Sequence, residues 1–304
     1  MKPMHLFLLA IILIVSLSAV AQPPAPASDP ATVKASVDPY WHDWKQELNE
    51  GPISDNSFLI EESYNQEYGV VQHINTFTRL WQSKDWAYSF TQEWPVDFAP
   101  KNQLSYTIIG MHSGSYPGTA GGMGDFALNY RYQLVGNGES KIAVAPRLTL
   151  LVPSGNPANG RGVGGVGVQT NWAVSAVVNK RFTTHFNAGA TVTPHAKDAD
   201  GNSASTYGYN LGNSVVWNTT SRFNVLLETV LYRGESVTAP SKTQWQSQLL
   251  LNPGIRWAYN LSNGMQIVPG VAVPIGVGPS AGEKGIYLYL SLEHPYRRIP
   301  RKSE

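Results

Sequence analysis

The chain has 304 residues, of which 42% are hydrophobic and 14% are charged, and its formal net charge is +1 at pH 7. Because 22 basic residues face 21 acidic ones, the chain lacks the positive surplus that proteins use against phosphate, and no nucleic-acid partner is expected. It contains no cysteine, which excludes a disulfide framework. Beyond the N-terminus, no stretch approaches the roughly 18 uncharged apolar residues of a membrane-spanning helix.

The first 21 residues have the layout of a signal peptide. Lys2 precedes an apolar run from Leu6 to Val15, and the small-residue tripeptide Ala19-Val20-Ala21 follows. This run is shorter than the roughly 20 residues that a spanning helix needs, so we expect export and cleavage after Ala21; a permanent N-terminal anchor is the alternative. Without Lys2, 21 basic and 21 acidic residues remain, and the net charge is zero.

Residues 22–56 are predicted to form a proline-rich periplasmic tether, because proline, alanine and serine dominate its first half. An aspartate-proline pair and a later glycine predict a short helix from Pro39 to Glu50. Its apolar face would consist of Trp41, Trp44 and Leu48. This helix would act as a plug or as a foot at the membrane interface, or would simply dock on the rim of its own barrel.

From residue 57 to residue 304 the chain shows alternating apolar and polar residues, which is the period of β-strands. Many of the alternating segments exceed ten residues, whereas strands in soluble sheets usually have about five or six. The candidate strands are 58–66, 70–80, 86–98, 104–112, 124–135, 141–153, 165–178, 182–194, 206–218, 223–233, 245–260, 265–277 and 285–297. The barrel has twelve strands if 58–66 is a periplasmic or lumenal lead-in, and fourteen if it is one of two extra strands.

The connections between these segments alternate in length. Short turns are predicted at 99–103, 136–140, 179–181, 219–222 and 261–264. Long polar or glycine-rich loops are predicted at 113–123, 154–164, 195–205, 234–244 and 278–284. Short turns at one end and long loops at the other are typical of a bacterial outer-membrane β-barrel, with the short turns in the periplasm. The fold prediction is therefore an all-β, antiparallel transmembrane barrel of about twelve strands after a short N-terminal periplasmic segment.

Charged residues on the strands decide which face points to lipid. In the stretch GDFALNYRYQL, from Gly124 to Leu134, Arg131 alternates with aromatic and aliphatic residues. An arginine facing lipid at mid-membrane costs roughly 2 to 4 kcal/mol, so Arg131 is predicted to face the lumen. The same parity sends a set of charges inward: Glu93, Asp97, Arg131, Arg147, Glu228, Arg256 and Glu293. This network either pairs across the lumen and blocks it, or selects solutes in a pore, and both roles remain open.

Three other patterns do not support a site. The GxGxxG match at 162–167 leads from a loop into a strand, which argues against nucleotide binding. The histidines at 73, 112, 185, 195 and 294 lack the spacing of a metal motif such as HExxH. No GxSxG nucleophile elbow is present, so an enzymatic barrel such as a lipase or protease is disfavoured. We expect no catalytic residues, no cofactor and no metal.

Several segments together resemble one known family. They are MGDFALNYRYQL (Met123–Leu134), APRLTLLVPSGN (Ala145–Asn156), GVGVQTNWAVS (Gly165–Ser175), NPGIRWAYN (Asn252–Asn260) and YLYLSLEHPY (Tyr287–Tyr296). On these residues the chain is similar to the bacterial outer-membrane β-barrel transporter family associated with the MetA pathway of phenol degradation. The resemblance implies an outer-membrane barrel that passes small and, loosely, aromatic or hydrophobic compounds.

The expected function is a passive channel or uptake protein for small molecules. The alternative is a closed barrel without transport, which would serve envelope structure or surface interactions through its long loops. Either protein would reside in the bacterial outer membrane, with membrane lipid, lipopolysaccharide and the barrel-insertion machinery as its partners.

Overall fold

The computed structural model describes residues 53, 55–96, 98–116, 118 and 120–296. All of them belong to one structural unit, His42–Glu304. The predicted signal peptide, the predicted helix from Pro39 to Glu50 and the candidate site residue Asp97 lie outside the described residues.

Twelve long strands form the wall. They are β1 (Val70–Leu80), β2 (Trp86–Pro95), β3 (Asn102–His112), β4 (Phe126–Tyr132), β5 (Ile142–Val152), β6 (Gly167–Asn179), β7 (Phe182–Lys197), β8 (Ser203–Thr220), β9 (Phe223–Ala239), β10 (Lys242–Trp257), β11 (Gln266–Ala272) and β12 (Gly285–Pro295). Three two-residue strands extend the sheet at Gly122–Met123, Tyr259–Asn260 and Ile275–Gly276. Short 3₁₀ turns occur at Pro157–Asn159 and Gly278–Ser280.

The sheet closes on itself. Each strand pairs antiparallel with its neighbours in the chain, and β1 pairs with β12 from Val70 opposite Pro295 to Leu80 opposite Gly285. Closure leaves no free sheet edge, which is what allows strands to cross a membrane with every backbone group paired. The predicted all-β, antiparallel barrel of twelve strands is confirmed. The candidate strand 58–66 is not part of the wall.

The long-loop prediction is wrong in extent on one side of the barrel. Strands β9 and β10 continue to Ala239 and from Lys242, so that the predicted loop 234–244 is mostly a tight hairpin. Likewise β7 and β8 extend to Lys197 and from Ser203, into the predicted loop 195–205. These strand ends carry polar residues, so they lack the apolar alternation on which the prediction relied, yet their backbones pair all the same.

The two faces of the wall differ in chemistry. Large apolar side chains on the outward parity remain exposed, among them Leu148, Trp172, Leu211, Trp217 and Leu288. The inward parity buries polar groups, among them Gln103, Asn129, Arg131, Ser214, Glu228, Asn252 and Arg256. An apolar exterior around a polar interior is the pattern of a transmembrane barrel, and it is the reverse of a soluble sandwich. Among the described residues, no helix is long and apolar enough to span a membrane.

The exposed apolar face generates a stability prediction. Leu211 lies near the middle of β8, opposite Leu231 and Ala188, and its side chain is exposed. Leu211→Arg should lower the free energy of unfolding in lipid vesicles by about 2 to 4 kcal/mol, because the guanidinium would enter hydrocarbon. Urea titration followed by tryptophan fluorescence measures this change, with Leu211→Ala as the control for lost apolar contact. Equal effects of the two substitutions would show that this face does not contact lipid.

Candidate functional site

The candidate site is the lumen, and a segment of the chain itself fills it. Residues 55–68, called here the lumenal segment, precede β1 and contact inward-facing side chains from strands all around the barrel. The segment forms no strand, so its backbone groups have no sheet partners. Buried backbone groups must nevertheless be paired, and the wall supplies the partners from its side chains.

Glu228 on β9 binds the backbone of the lumenal segment at residues 58–60. One of its carboxylate oxygens accepts hydrogen bonds from the backbone N–H groups of Phe58, Leu59 and Ile60, at 2.9, 2.9 and 3.1 Å. The other oxygen accepts a hydrogen bond from Asn252 at 2.7 Å. The Glu228 carboxylate is fully buried, and three convergent N–H dipoles offset much of the cost of removing its charge from water.

Arg256 on β10 binds backbone carbonyl groups that precede Phe58 in the chain. It donates to the carbonyl oxygens of Asp55 and Asn56, at 2.7 and 2.6 Å, and to that of Ile53 at 3.3 Å. Its Nε donates to Asn224 at 3.0 Å. The guanidinium therefore recognises main chain, and this contact is independent of which side chains the segment carries.

Glu61 makes the ionic contact between the segment and the wall. Its carboxylate lies 2.6 Å from Arg147 and 3.5 Å from Arg131, which occupy opposite positions on the adjacent strands β5 and β4. Arg131 also lies 3.8 Å from Glu93. Burial raises the pKa of the Glu61 carboxyl, but the cations of Arg147 and Arg131 outweigh this and leave the pKa below its usual value. Two like charges that repel each other thus share one lumenal anion.

Neutral amides and hydroxyls bind the rest of the segment. Asn187 accepts from the N–H of Glu61 and donates to its carbonyl oxygen, both at 2.8 Å. Gln133 does the same across two residues, since it accepts from the N–H of Asn65 and donates to the carbonyl of Ser63. Ser175 accepts a hydrogen bond from the N–H of Ser63, and Gln103 accepts one from the N–H of Gln66. The charged Arg131 also donates to the carbonyl oxygen of Tyr64.

Two apolar side chains of the segment fit into the wall where glycines make room. The Phe58 ring lies 5.6 and 5.5 Å from the rings of Tyr287 and Tyr289. It also rests on Gly254 and Gly270, where any Cβ atom would overlap the ring. Ile60 packs in the same way on Gly212. The wall is therefore shaped to the segment as well as hydrogen-bonded to it.

Two further acids of the segment lie in less favourable surroundings. Burial raises the pKa of Asp55 despite the nearby Arg256 cation and the hydrogen bonds from Tyr289 and Gln72. Burial and the negative charge of Asp55 together raise the pKa of Glu62 to about 8. The surroundings thus raise the pKa of Asp55 and Glu62 and lower that of Glu61.

The structure places six of the seven predicted lumen charges on inward-facing strand positions: Glu93, Arg131, Arg147, Glu228, Arg256 and Glu293. Arg131, Arg147, Glu228 and Arg256 contact the lumenal segment directly. Glu93 reaches it through Arg131 and Gln103. Glu293 lies opposite Gln72 and Gln266 in the strand register.

Several residues of the site were not predicted from the sequence. Ile53, Asp55 and Asn56 fall within the predicted periplasmic tether, yet Arg256 binds their carbonyls inside the barrel. Asn187, Gln133 and Ser175 are neutral, so the placement of charges along the strands does not indicate them. The adjacent acids Glu61 and Glu62 were the available clue, because two neighbouring arginines in a barrel need an anion from elsewhere. Among the described residues, no three histidine, aspartate or glutamate side chains group as metal ligands.

Solved structures of outer-membrane channels have an architecture similar to that of this chain. No protein-family model and no curated protein matches the chain. Among solved structures, the COG4313 outer membrane channel from Pseudomonas putida F1 is 12% identical, with a TM-score of 0.57, and the match covers 76% of this chain and 97% of that one. The NanC porin is 9% identical with a TM-score of 0.47, over 72% of this chain and 98% of its own. The described chain has the fold of an outer-membrane channel barrel.

Proposed function

We propose that the protein is a passive outer-membrane channel for small solutes, and that its lumenal segment closes the lumen at rest. The observation that carries this proposal is the way in which the segment is held. Its backbone is bound by wall side chains, Glu228 and Arg256 above all, and by no strand ladder. The segment can therefore leave without breaking a single hydrogen bond between wall strands.

The position of the segment also favours a removable closure. It lies before β1 in the chain, and the barrel closes through β1 and β12 after the segment has ended. Release would expose a polar lining of amides, hydroxyls and charges, which suits a water-filled path. The proposal also includes export with cleavage after Ala21, contact with lipid and lipopolysaccharide, and assembly by the barrel-insertion machinery. It includes no catalytic activity.

The contacts of the segment suggest the class of solute. The Phe58 ring occupies a ring-sized site between Tyr287, Tyr289 and two glycines, and its release would leave that site for an aromatic group. The Glu61 carboxylate occupies the arginine pair, and its release would leave two cations facing the lumen. A small aromatic compound, in line with the resemblance to the phenol-degradation transporter family, fits the first site, and an anionic substituent fits the second.

In this proposal the charge network of Glu93, Asp97, Arg131, Arg147, Glu228, Arg256 and Glu293 both gates the lumen and selects solutes. The second candidate function is a permanently closed structural barrel. The close fit of Phe58 and Ile60 against wall glycines favours it, because well-packed apolar groups oppose release.

Single-channel recording separates the two functions. The mature chain without residues 22–52 retains the segment and should give few openings in a planar bilayer. The chain without residues 22–68 should give steady conductance steps, because the segment that fills the lumen is gone. A synthetic peptide of residues 53–68, added to the second variant, should block these steps, and a scrambled peptide should not. Silence of both variants would contradict the channel and support the closed barrel.

Removing the charge of Glu228, the wall residue that binds the segment at Phe58–Ile60, should weaken the closure in the full mature chain. Glu228→Gln replaces charge-assisted acceptance from three N–H groups by a neutral amide, and such hydrogen bonds contribute about 1.5 to 3 kcal/mol. The ratio of open to closed time should therefore rise roughly tenfold or more. The matched control is Glu139→Gln, in the short turn between β4 and β5. An unchanged ratio in Glu228→Gln would show that Glu228 does not hold the closed state.

The closure should weaken as the pH rises from about 5 to 8. Glu62 has its pKa raised to about 8 in the seated segment, and after release it should return towards its ordinary value near 4.5. Between these values the seated state binds more protons than the released state, so raising the pH favours release. Asp55 acts in the same direction, whereas Glu61, with its lowered pKa, opposes it only in stronger acid.

Open probability measured from pH 5 to pH 8.5 tests this dependence. The full mature chain should open more often at the alkaline end, and Glu62→Gln should flatten the profile, leaving the contribution of Asp55. A profile that is identical in the wild type and in Glu62→Gln would contradict the assigned role of Glu62.

A further inference from the structure

Two histidines that are far apart in the sequence meet on the outer face of the barrel, at the seam where its first and last strands pair. His73 lies on β1 and His294 on β12, and 221 positions separate them. In the register His73 is opposite Leu292, and His294 is opposite Val71, so the two imidazoles are diagonal neighbours. Their chain neighbours Gln72 and Glu293 face inward, opposite each other, which places both imidazoles on the outward parity.

The two imidazoles present their nitrogens to each other. The Nε2 atoms are 3.2 Å apart, and the ring centroids are 5.3 Å apart with 26° between the planes. Metal–imidazole bonds are about 2.0 to 2.1 Å long. Two such bonds at the usual angles of about 90 to 110° place the nitrogens roughly 2.9 to 3.4 Å apart. The observed separation fits a hydrogen bond between two neutral imidazoles, and it also fits two imidazoles that bind one metal ion.

The surroundings of the pair hold it in place near the rim of the barrel. On its other face, the His73 ring stacks on Phe90, with centroids 5.9 Å apart. Gln92 of β2 lies opposite His73 and accepts a hydrogen bond from the hydroxyl of Tyr106. The pair also lies near the end of the seam, where Val70 pairs with Pro295. Such a rim position allows water to complete a coordination sphere that only two side chains begin.

We propose that His73 and His294 bind one divalent transition-metal ion, of the zinc, copper or nickel class. Imidazole nitrogens favour these ions, whereas magnesium and calcium prefer oxygen ligands. The ion would join the two strands that close the barrel, so it would bind the folded wall and have no matching site in the unfolded chain. This site faces away from the lumen, so it stands apart from the proposed channel function.

The test is thermal unfolding of the full mature protein in detergent micelles, after treatment with a chelator, followed by the shift of the heat-modifiable band on a gel. Addition of Zn²⁺, Cu²⁺ or Ni²⁺ should raise the unfolding midpoint by several degrees, because a ligand that binds the folded state stabilises it. Mg²⁺ should have no effect. His73→Ala and His294→Ala should each abolish the rise. His112→Ala should retain it, because His112 faces outward at the end of β3, at the opposite rim of the barrel.

Electron paramagnetic resonance of the Cu²⁺-loaded protein gives a second readout that does not depend on stability. The wild type should show coupling to two imidazole nitrogens at one copper per chain. The milder variants His73→Gln and His294→Gln, which keep a polar side chain at the rim, should lose this coupling. The proposal is overturned if the wild type shows no metal-dependent rise, if the rise is equal in His73→Ala, or if the two-nitrogen signal persists without either histidine.

Discussion

The structure depends on one constraint, namely that a peptide group removed from water needs a hydrogen-bond partner. The wall meets this constraint by closing, because β1 pairs with β12 along eleven residue pairs. The lumenal segment meets it differently, since it has no strand neighbour and takes its partners from the side chains of Glu228, Arg256, Asn187 and Gln133. The chain thus uses backbone ladders for the permanent part of the molecule and side-chain contacts for the part that we propose to be released.

The lumenal segment also supplies the negative charge that the arginines of the wall need. Arg131 and Arg147 face each other across neighbouring strands, an arrangement that would be costly in a lumen without a counter-ion. Glu93 lies 3.8 Å from Arg131, and Glu61 supplies the anion that both arginines contact. The lumenal segment therefore neutralises the wall as well as filling it. In the proposed channel, an anion that entered the lumen would compete with Glu61 for the same two cations, and solute binding would thereby be coupled to release.

The sequence predicts the wall well because the wall obeys a local rule. A period of two locates all twelve strands of the wall, with 58–66 as a thirteenth candidate, and the cost of a charge in lipid sends Arg131 and Glu228 inward. The strand ends of β9 and β10 were missed because they carry polar residues and project beyond the apolar alternation. There, hydrogen bonds such as those that Glu235 accepts from Thr243 and from the N–H of Tyr207 accompany the pairing.

The contents of the lumen could not be predicted in the same way. The contacts of the segment join residues such as Phe58 and Glu228, which are 170 positions apart, and Asp55 and Tyr289, which are 234 apart. Which side chains meet depends on how the closed wall brings distant strands around one axis. The pair of His73 and His294 has the same origin, since only closure makes the first and last strands neighbours. A search for short sequence motifs cannot predict a pair of residues so far apart in the chain.

The number of contacts also determines what opening requires. Moving an equilibrium from 1:99 to 99:1 takes about 5.5 kcal/mol of differential binding. Release gives up the three N–H contacts to Glu228, the carbonyl contacts to Arg256 and the ion pair of Glu61, so the seated state is favoured at rest. In the proposed channel, a solute would raise the open fraction only if it bound the released wall more tightly than the seated one. We propose that the vacated ring site and the freed arginine pair are the two places where such a preference would arise, because the segment occupies both at rest.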